Sequence, residues 1–250
     1  MCTSIKMHAA NESIVFARTM DWHSFVPEAL VLPQNYQWKS VYNNRNISNV
    51  YTILGVGRNI PDLHADISDG VNDFGLSVQK LTFSNHSEYA EYPHEGKLQL
   101  APFEFVTWAL GNCRSVADLI NQLESVQLMS DTFSHYKFGR SDLHFSAVDP
   151  TGRMINIEPR NGSFEIIENT IGVVTNAPKF EREIVKLQDY MDLTAQPQHL
   201  TVFQLGILAE SLFFLEASPQ PLASSVPQFL KNVQFCLLMS SRISAKSGIF

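Results

Sequence analysis

The chain opens Met1-Cys2-Thr3-Ser4-Ile5-Lys6-Met7-His8-Ala9-Ala10-Asn11-Glu12-Ser13-Ile14-Val15-Phe16-Ala17-Arg18-Thr19-Met20-Asp21-Trp22. Residues 3–7 and 13–17 are two short runs separated by the polar turn Ala10-Asn11-Glu12, the pattern of a β-hairpin. A cysteine stands second. An initiator methionine is trimmed when the next residue is small, which would leave a thiol and a free α-amine on one residue. Such an amine has an ordinary pKa of roughly 7.7–8.0 and can act as base for its own side chain, directly or through a water. Position alone favours the plainer reading, a small buried residue at an ordinary chain start. Only the neighbourhood can overturn it.

Outward from the hairpin, further β-like runs fall at Ala29–Leu32, Tyr51–Val56 and Gly75–Leu81. A helix is predicted over about Pro102–Gly111, with proline tolerated in its first turn. A second starts at Ser115, a good N-cap with Asp118 three residues on. Its apolar Val116, Leu119, Ile120 and Leu123 fall at i, i+3, i+4 and i+7. A meander follows: Leu143–Val148, Met154–Glu158, Phe164–Ile167 and Ile171–Thr175, with the turns Asp149-Pro-Thr-Gly and Arg160-Asn-Gly-Ser between the first three. Phe180, Ile184, Leu187 and Met191 mark one more amphipathic helix. Strands in blocks and helices in blocks predict an α+β fold.

The 250 residues, 44% hydrophobic and 17% charged, suffice for a sizeable core. A net charge of -7 argues against nucleic acid or an anionic membrane as the main partner. No stretch approaches the roughly 18 apolar residues of a membrane span, and the start lacks a secretory pattern, so a cytoplasmic protein is expected. Three distant cysteines (Cys2, Cys113, Cys236) make neither a disulfide framework nor a zinc site. Cys113 and Cys236 sit among apolar neighbours and read as buried thiols. The eight histidines show no metal-ligand spacing, and neither metal nor cofactor is expected.

Met1-Cys-Thr-Ser-Ile followed by Phe16-Ala-Arg-Thr-Met-Asp-Trp22 resembles the opening of the choloylglycine hydrolase family, which includes penicillin V acylases and conjugated bile-salt hydrolases. The resemblance continues through Asn35-Tyr-Gln-Trp-Lys-Ser, Asp69-Gly-Val-Asn-Asp-Phe-Gly-Leu76, Ala101-Pro-Phe-Glu-Phe and Gly111-Asn-Cys-Arg-Ser-Val. It then takes in Ile157-Glu-Pro and Gly172-Val-Val-Thr-Asn-Ala-Pro178, covering about residues 2–200 in the family's order. It implies the four-layer αββα sandwich of N-terminal-nucleophile hydrolases. It also implies hydrolysis of a small-molecule amide with Cys2 as nucleophile, no cofactor, and a homotetramer.

By the same resemblance, Arg18 is the arginine beside the nucleophile, whose fixed charge favours thiolate and helps orient the substrate carbonyl. Asp21 is the carboxylate that holds the new α-amine. Asn176 offers its amide to the oxyanion, and Thr82 stands where the family usually has asparagine or tyrosine and contributes a backbone N–H. Trp22 and Phe83, next to these positions, are candidates to line an acyl site. Arg18-Thr-Met-Asp-Trp22 and Asn35-Tyr-Gln-Trp-Lys39 look more like the penicillin V acylase branch than like bile-salt hydrolases.

The resemblance stops near residue 205. The family's Leu-Pro-Gly-Asp-like loop, its Ser-Arg-Phe element with a second active-site arginine, and its later strands are not recognisable in Phe213-Phe-Leu-Glu-Ala-Ser-Pro-Gln-Pro-Leu and beyond. Only five charged residues (Glu210, Glu216, Lys231, Arg242, Lys246) fall in residues 201–250. The expectation is a hydrolase domain over 2–205. An atypical tail over 206–250 follows, out of frame or altered, in a truncated chain. The competing reading is a catalytically impaired remnant prone to aggregate through exposed sheet edges.

Overall fold

The computed structural model describes residues 2–11, 13–20, 26–42, 45–134, 136–139 and 141–191. The tail from 206 therefore lies outside the described residues. The opening hairpin forms as expected, from β1 (Ser4–His8) and β2 (Ile14–Arg18), with Ser4 opposite Arg18 and His8 opposite Ile14. Next come β3 (Glu28–Leu32), β4 (Gln37–Lys39), β5 (Asn46–Ser48), β6 (Ile53–Asn59), β7 (Ala65–Asn72), β8 (Ser77–Thr82) and β9 (Leu98–Leu100). A short 3-10 turn at Pro102–Glu104 leads into α1 (Phe105–Asn112), and α2 (Val116–Leu123) follows. The Ser115 side chain caps α2 by accepting the Asp118 N–H at 3.1 Å. After β10 (Val126–Leu128) the meander appears as β11 (Leu143–Val148), β12 (Met154–Arg160) and β13 (Ser163–Glu168). The expected strand over 171–175 shrinks to β14 (Val173–Val174), and α3 (Phe180–Met191) follows.

The larger sheet has seven strands in the order β13-β12-β11-β8-β7-β6-β3, antiparallel throughout. A second sheet, β14-β1-β2, is also antiparallel. Alternation along the strands divides the large sheet's side chains between two faces. Ile67, Val78, Phe145, Ala147, Ile155 and Ile157 pack with Phe105, Leu110, Val116 and Leu119 from α1 and α2 in the main core. Leu81, Val148 and Met154 point the other way, against Cys2 and Val174 of the second sheet. Helices, sheet and sheet therefore stack as layers, which places Cys2 between the sheets.

Two of the quoted motifs hold this frame together. Asn72 is buried, donates to the carbonyls of Leu110 and Cys113 at 2.9 and 2.7 Å, and accepts the N–H groups of Phe74 and Leu76. It thus locks the β7–β8 turn to the end of α1, and Gly75 takes the left-handed conformation (φ 82°) that this turn requires. Glu104 is fully buried, accepts the N–H groups of Val41 and Ala101 at 2.9 and 2.7 Å, and lies 3.0 Å from His64 Nε2. A buried carboxylate survives only when satisfied in this way.

Candidate active site

Cys2, Ser4 and Arg18 share the face of the small sheet that meets the large one. Ser4 and Arg18 are directly opposed across the hairpin, and Cys2 lies two residues from Ser4. Ser4 Oγ crosses to the large sheet and donates to Gln79 Oε1 at 2.5 Å. Arg18 crosses as well. Its Nη1 donates to the Lys80 carbonyl at 2.7 Å, and its Nε lies 2.8 Å from Asp69 Oδ1.

The large sheet can receive these groups because its strands part there. Against β6, the register of β7 jumps from Val56 opposite Asp69 to Gly57 opposite Ile67, leaving Ser68 as the extra residue of a bulge. The β7–β8 pairing runs only over Asp69–Val71 against Ser77–Gln79. Beyond Gln79, β8 is paired only through β11. Phe83 donates its N–H to the Asp142 carbonyl at 2.9 Å. Alternation then turns the N–H and C=O of Lys80 and Thr82 away from β11, toward the side from which β7 has withdrawn. The two carbonyls are used: Lys80 by Arg18, and Thr82 by Asn176 Nδ2 at 2.7 Å.

Asn176 closes the arrangement. Its Oδ1 accepts the Cys2 N–H at 2.5 Å while its amide nitrogen holds the Thr82 carbonyl. An amide nitrogen carries two hydrogens, so one remains for a substrate oxygen. Asn176 follows β14, whose Val174 pairs with Ser4, so the asparagine is carried on the strand beside the one that Cys2 leads into. The structure thus brings Cys2, Arg18, Thr82 and Asn176 together from four segments. Asp21 and Trp22 lie outside the described residues.

Phe83 is placed behind Thr82. It is completely buried, stacked on His144 with ring centroids 4.3 Å apart and planes 6° apart, with His86 5.2 Å away on a tilted plane. It therefore packs against the two histidine rings behind Thr82. Burial moves neighbouring titrations. The Asp69 carboxyl is pushed above the usual range by desolvation, with the Arg18 charge pulling the other way. His144 is driven down to about 3 by burial.

Three participants escaped the sequence reading. Asp69 sits inside a quoted motif, yet nothing local signals that it faces Arg18. Lys80 reaches Asp66 in a buried ion pair, and Asp66 also meets Arg58 at 3.2 Å. Gln79 receives Ser4. Cys113 is fully buried, as expected, and Cys236 lies outside the described residues. Among the described residues, no group of three or more His, Cys, Asp or Glu is placed to hold a metal ion. No described helix is long and apolar enough to cross a membrane.

Two antiparallel sheets face to face, helices on one of them, and a cysteine leading into the inner hairpin define an N-terminal-nucleophile hydrolase fold. The chain belongs to the choloylglycine hydrolase family of linear amide C–N hydrolases, whose model matches residues 2–209. A bile salt hydrolase/transferase from Clostridium perfringens is 28% identical over 207 residues, 82% of this chain and 62% of that protein. The chain therefore spans less than two thirds of that curated relative's length. Among solved structures, the C2A mutant of conjugated bile acid hydrolase from the same organism superposes with a TM-score of 0.74 at 23% identity, covering 93% of this chain and 79% of that one. Penicillin V acylase from Agrobacterium tumefaciens gives 0.65 at 18% identity, covering 99% and 75%. At these identities the superpositions speak for the fold.

Proposed function

We propose that the chain hydrolyses a linear amide of a small molecule, with Cys2 as the nucleophile once Met1 is removed. The observation that carries this is the double use of Asn176, which holds the Cys2 nitrogen through Oδ1 and the Thr82 carbonyl through Nδ2. One side chain thereby fixes the amine that must handle protons relative to the backbone that must receive the oxyanion.

In the proposed reaction the Cys2 thiolate adds to the substrate carbonyl carbon. The carbonyl π pair moves onto oxygen, which meets the second Asn176 amide hydrogen and the Thr82 N–H. Donors aimed at developing charge lower such barriers by roughly 3–4 kcal/mol each. Collapse expels the amine, which takes its proton from the α-ammonium of Cys2. Water then adds to the thioester, giving its proton to the free α-amine, and the acid leaves as the thiol is regenerated. Arg18, held by Asp69 and the Lys80 carbonyl, supplies a fixed cation on the nucleophile's face. Asp21 is proposed to orient the α-amine, on the resemblance alone.

For the acyl group, the stretches Arg18-Thr-Met-Asp-Trp22 and Asn35-Tyr-Gln-Trp-Lys39 favour a penicillin V acylase-like substrate. The 28% identity to a bile salt hydrolase/transferase favours conjugated bile acids as the second reading. The test is amine release by the purified full chain, with Met1 removal verified by mass, from penicillin V and from a glycine-conjugated bile acid. Cys2→Ala is the control. Release from either substrate, lost in the control, supports the hydrolase reading and selects the acyl class. A folded wild-type chain that releases amine from neither substrate would sink the hydrolase reading and leave the non-catalytic one.

A further inference from the structure

The ladder between β7 and β8 ends at the Asp69–Gln79 pair, and a side-chain pair spans the two strands just beyond it. Lys80, the next residue of β8, sends its ammonium to Asp66 Oδ1, three residues back along β7 from Asp69. Both side chains are buried. Asp66 Oδ2 accepts Arg58 Nε at 3.2 Å, and Arg58 is the residue directly opposite Asp66 on β6. Each carboxylate oxygen thus has its own cation, one on either neighbouring strand, and the group is held in one orientation. A buried ion pair gains little over apolar side chains of the same size. Stability alone therefore gives no reason to place charges in this split.

Arg18 supplies the reason. Its guanidinium is forked over the same opening: Nε lies 2.8 Å from Asp69 Oδ1 on β7, and Nη1 donates to the Lys80 carbonyl on β8 at 2.7 Å. A rigid planar fork engages both acceptors only while they keep one spacing. Here that spacing lies between two strands whose ladder has just ended. We infer that the Lys80–Asp66 pair is a strut that fixes the width of the β7–β8 split, which makes Lys80 and Asp66 positioning residues for Arg18. The inference rests on Cys2 being the reactive thiol of the proposed hydrolysis. Lys80 serves at both ends, its ammonium setting the gap and its carbonyl receiving the guanidinium.

The test is the rate at which iodoacetamide alkylates Cys2 at pH 7 in the full chain with Met1 removed, followed by mass spectrometry. The sulfur bonds the methylene carbon and iodide leaves; thiolate is the reacting form, so a cation on its face speeds the step. Arg18→Gln sets the full effect, a slowing on the order of tenfold. Asp66→Leu should slow alkylation about threefold, because doubling the guanidinium's distance halves a Coulomb term. Asp66→Asn keeps an acceptor oxygen for Lys80 without the charge and should recover part of the rate. The sign decides. A carboxylate acting on Cys2 only through space would, once removed, leave alkylation faster in both Asp66 variants. Loosening that exposes the buried Cys2 would speed it too. A rate at or above wild type in Asp66→Leu would therefore overturn the inference, as would equal slowing in Asp66→Leu and Asp66→Asn. An unchanged rate in Arg18→Gln would overturn it as well, since the strut would have nothing to act through. The double variant Lys80→Met/Asp66→Leu covers the case in which a single variant fails to fold, because it removes both charges together and leaves the net charge as it was. It should also react about threefold more slowly, and a wild-type rate there overturns the inference equally. A chain that shows this order of rates but releases no amine from either substrate sinks the hydrolase reading while the strut stands.

Discussion

Replacing Gly57 with alanine tests the strand separation on which the site depends. A Cβ at position 57 would lie 2.1 Å from the Asp66 carbonyl oxygen and 2.9 Å from the Ile67 Cα, both backbone atoms, whereas real Cβ atoms essentially never approach closer than 3.0 Å. No rotamer relieves such a contact, so β6 and β7 must part locally by about 0.9 Å. A shift of that size stretches an N–H···O distance of about 2.9 Å past hydrogen-bonding range. The pairs at risk are Gly57–Ile67 and Arg58–Asp66. Two ladder bonds at about 1 kcal/mol each, plus overpacking of about 1–3 kcal/mol, predict a loss of about 3–5 kcal/mol. That is a large share of the roughly 5–15 kcal/mol that holds a domain folded. Urea unfolding at 25 °C, followed by far-UV circular dichroism and by tryptophan fluorescence, measures it. Gly70→Ala is the internal comparison. Its Cβ would meet the mobile end of Leu110 at 2.9 Å and the Leu54 carbonyl at 3.0 Å, and it should cost less than half as much. If Gly57→Ala costs under about 1 kcal/mol, the close approach beside the bulge is not as described and the reasoning fails.

Three further outcomes are expected. Asn176→Ala should lower kcat by roughly 10²–10³. Asn176→Asp keeps an acceptor for the Cys2 nitrogen but no donor for Thr82, so it should be at least as slow; a rate within tenfold of wild type would show that the donor is idle. Asp69→Asn tests which force rules its carboxyl. Burial raises the folded-state pKa, so the folded chain binds that proton more readily than the unfolded one. The group's contribution is then full below the ordinary value of 3.8 and is lost as pH rises through the folded value. The stability of wild type relative to Asp69→Asn should thus decline as pH rises above the ordinary value of 3.8 in urea titrations; a rise would mean that the Arg18 pair dominates. Lys80→Met should cost about 3 kcal/mol in the same assay by leaving buried Asp66 with Arg58, whose side chain is 57% exposed. Arg58→Ala should cost less than about 1 kcal/mol, and equal losses would contradict the buried-pair argument.

The elements that sequence reading found are those whose apolar residues obey one period or form a run. The opening hairpin and α2 bury one face and show its period, whereas β11, β12 and α1 are buried nearly all round and show as apolar runs. β7 escaped because its inner positions carry Asp66, Ser68 and Asp69, whose partners are Lys80, Arg58 and Arg18 on other strands. Polarity set by tertiary pairing is invisible in a window of a few residues. β4, β5, β9 and β10 have three residues each, too few to show alternation. In the site, Cys2, Arg18, Thr82 and Asn176 were legible as matches to a family pattern and not from local chemistry. Asp69 stood within one of those matches with no role attached. Nothing in the sequence signals that Phe83 stacks on His144, because that contact joins residues 61 positions apart.

The bulge at Ser68 is what makes the site from ordinary parts. A regular β7 would pair with β8 through Lys80 and Thr82 and consume the groups that now face the second sheet. One extra residue withdraws β7 from β8 in the stretch before Asp69 and sets three consequences at once. The Lys80 carbonyl becomes an acceptor for Arg18, the Thr82 carbonyl becomes an acceptor for Asn176, and the Thr82 N–H is left on the edge of β8 that β7 has vacated. The same residue count decides where Asp69 points, because the residue past a bulge changes face relative to a regular strand. Asp69 then meets Arg18 across the gap that the bulge opened. Backbone irregularity and charge pairing are in this sense one feature, and deleting Ser68 should abolish both together. The chain without Ser68 should restore a continuous β7–β8 ladder, seen as slowed amide exchange at Lys80 and Thr82, and should lose the amide hydrolysis proposed for Cys2. Slowed exchange with activity intact would show that the opened edge of β8 is not where the oxyanion forms.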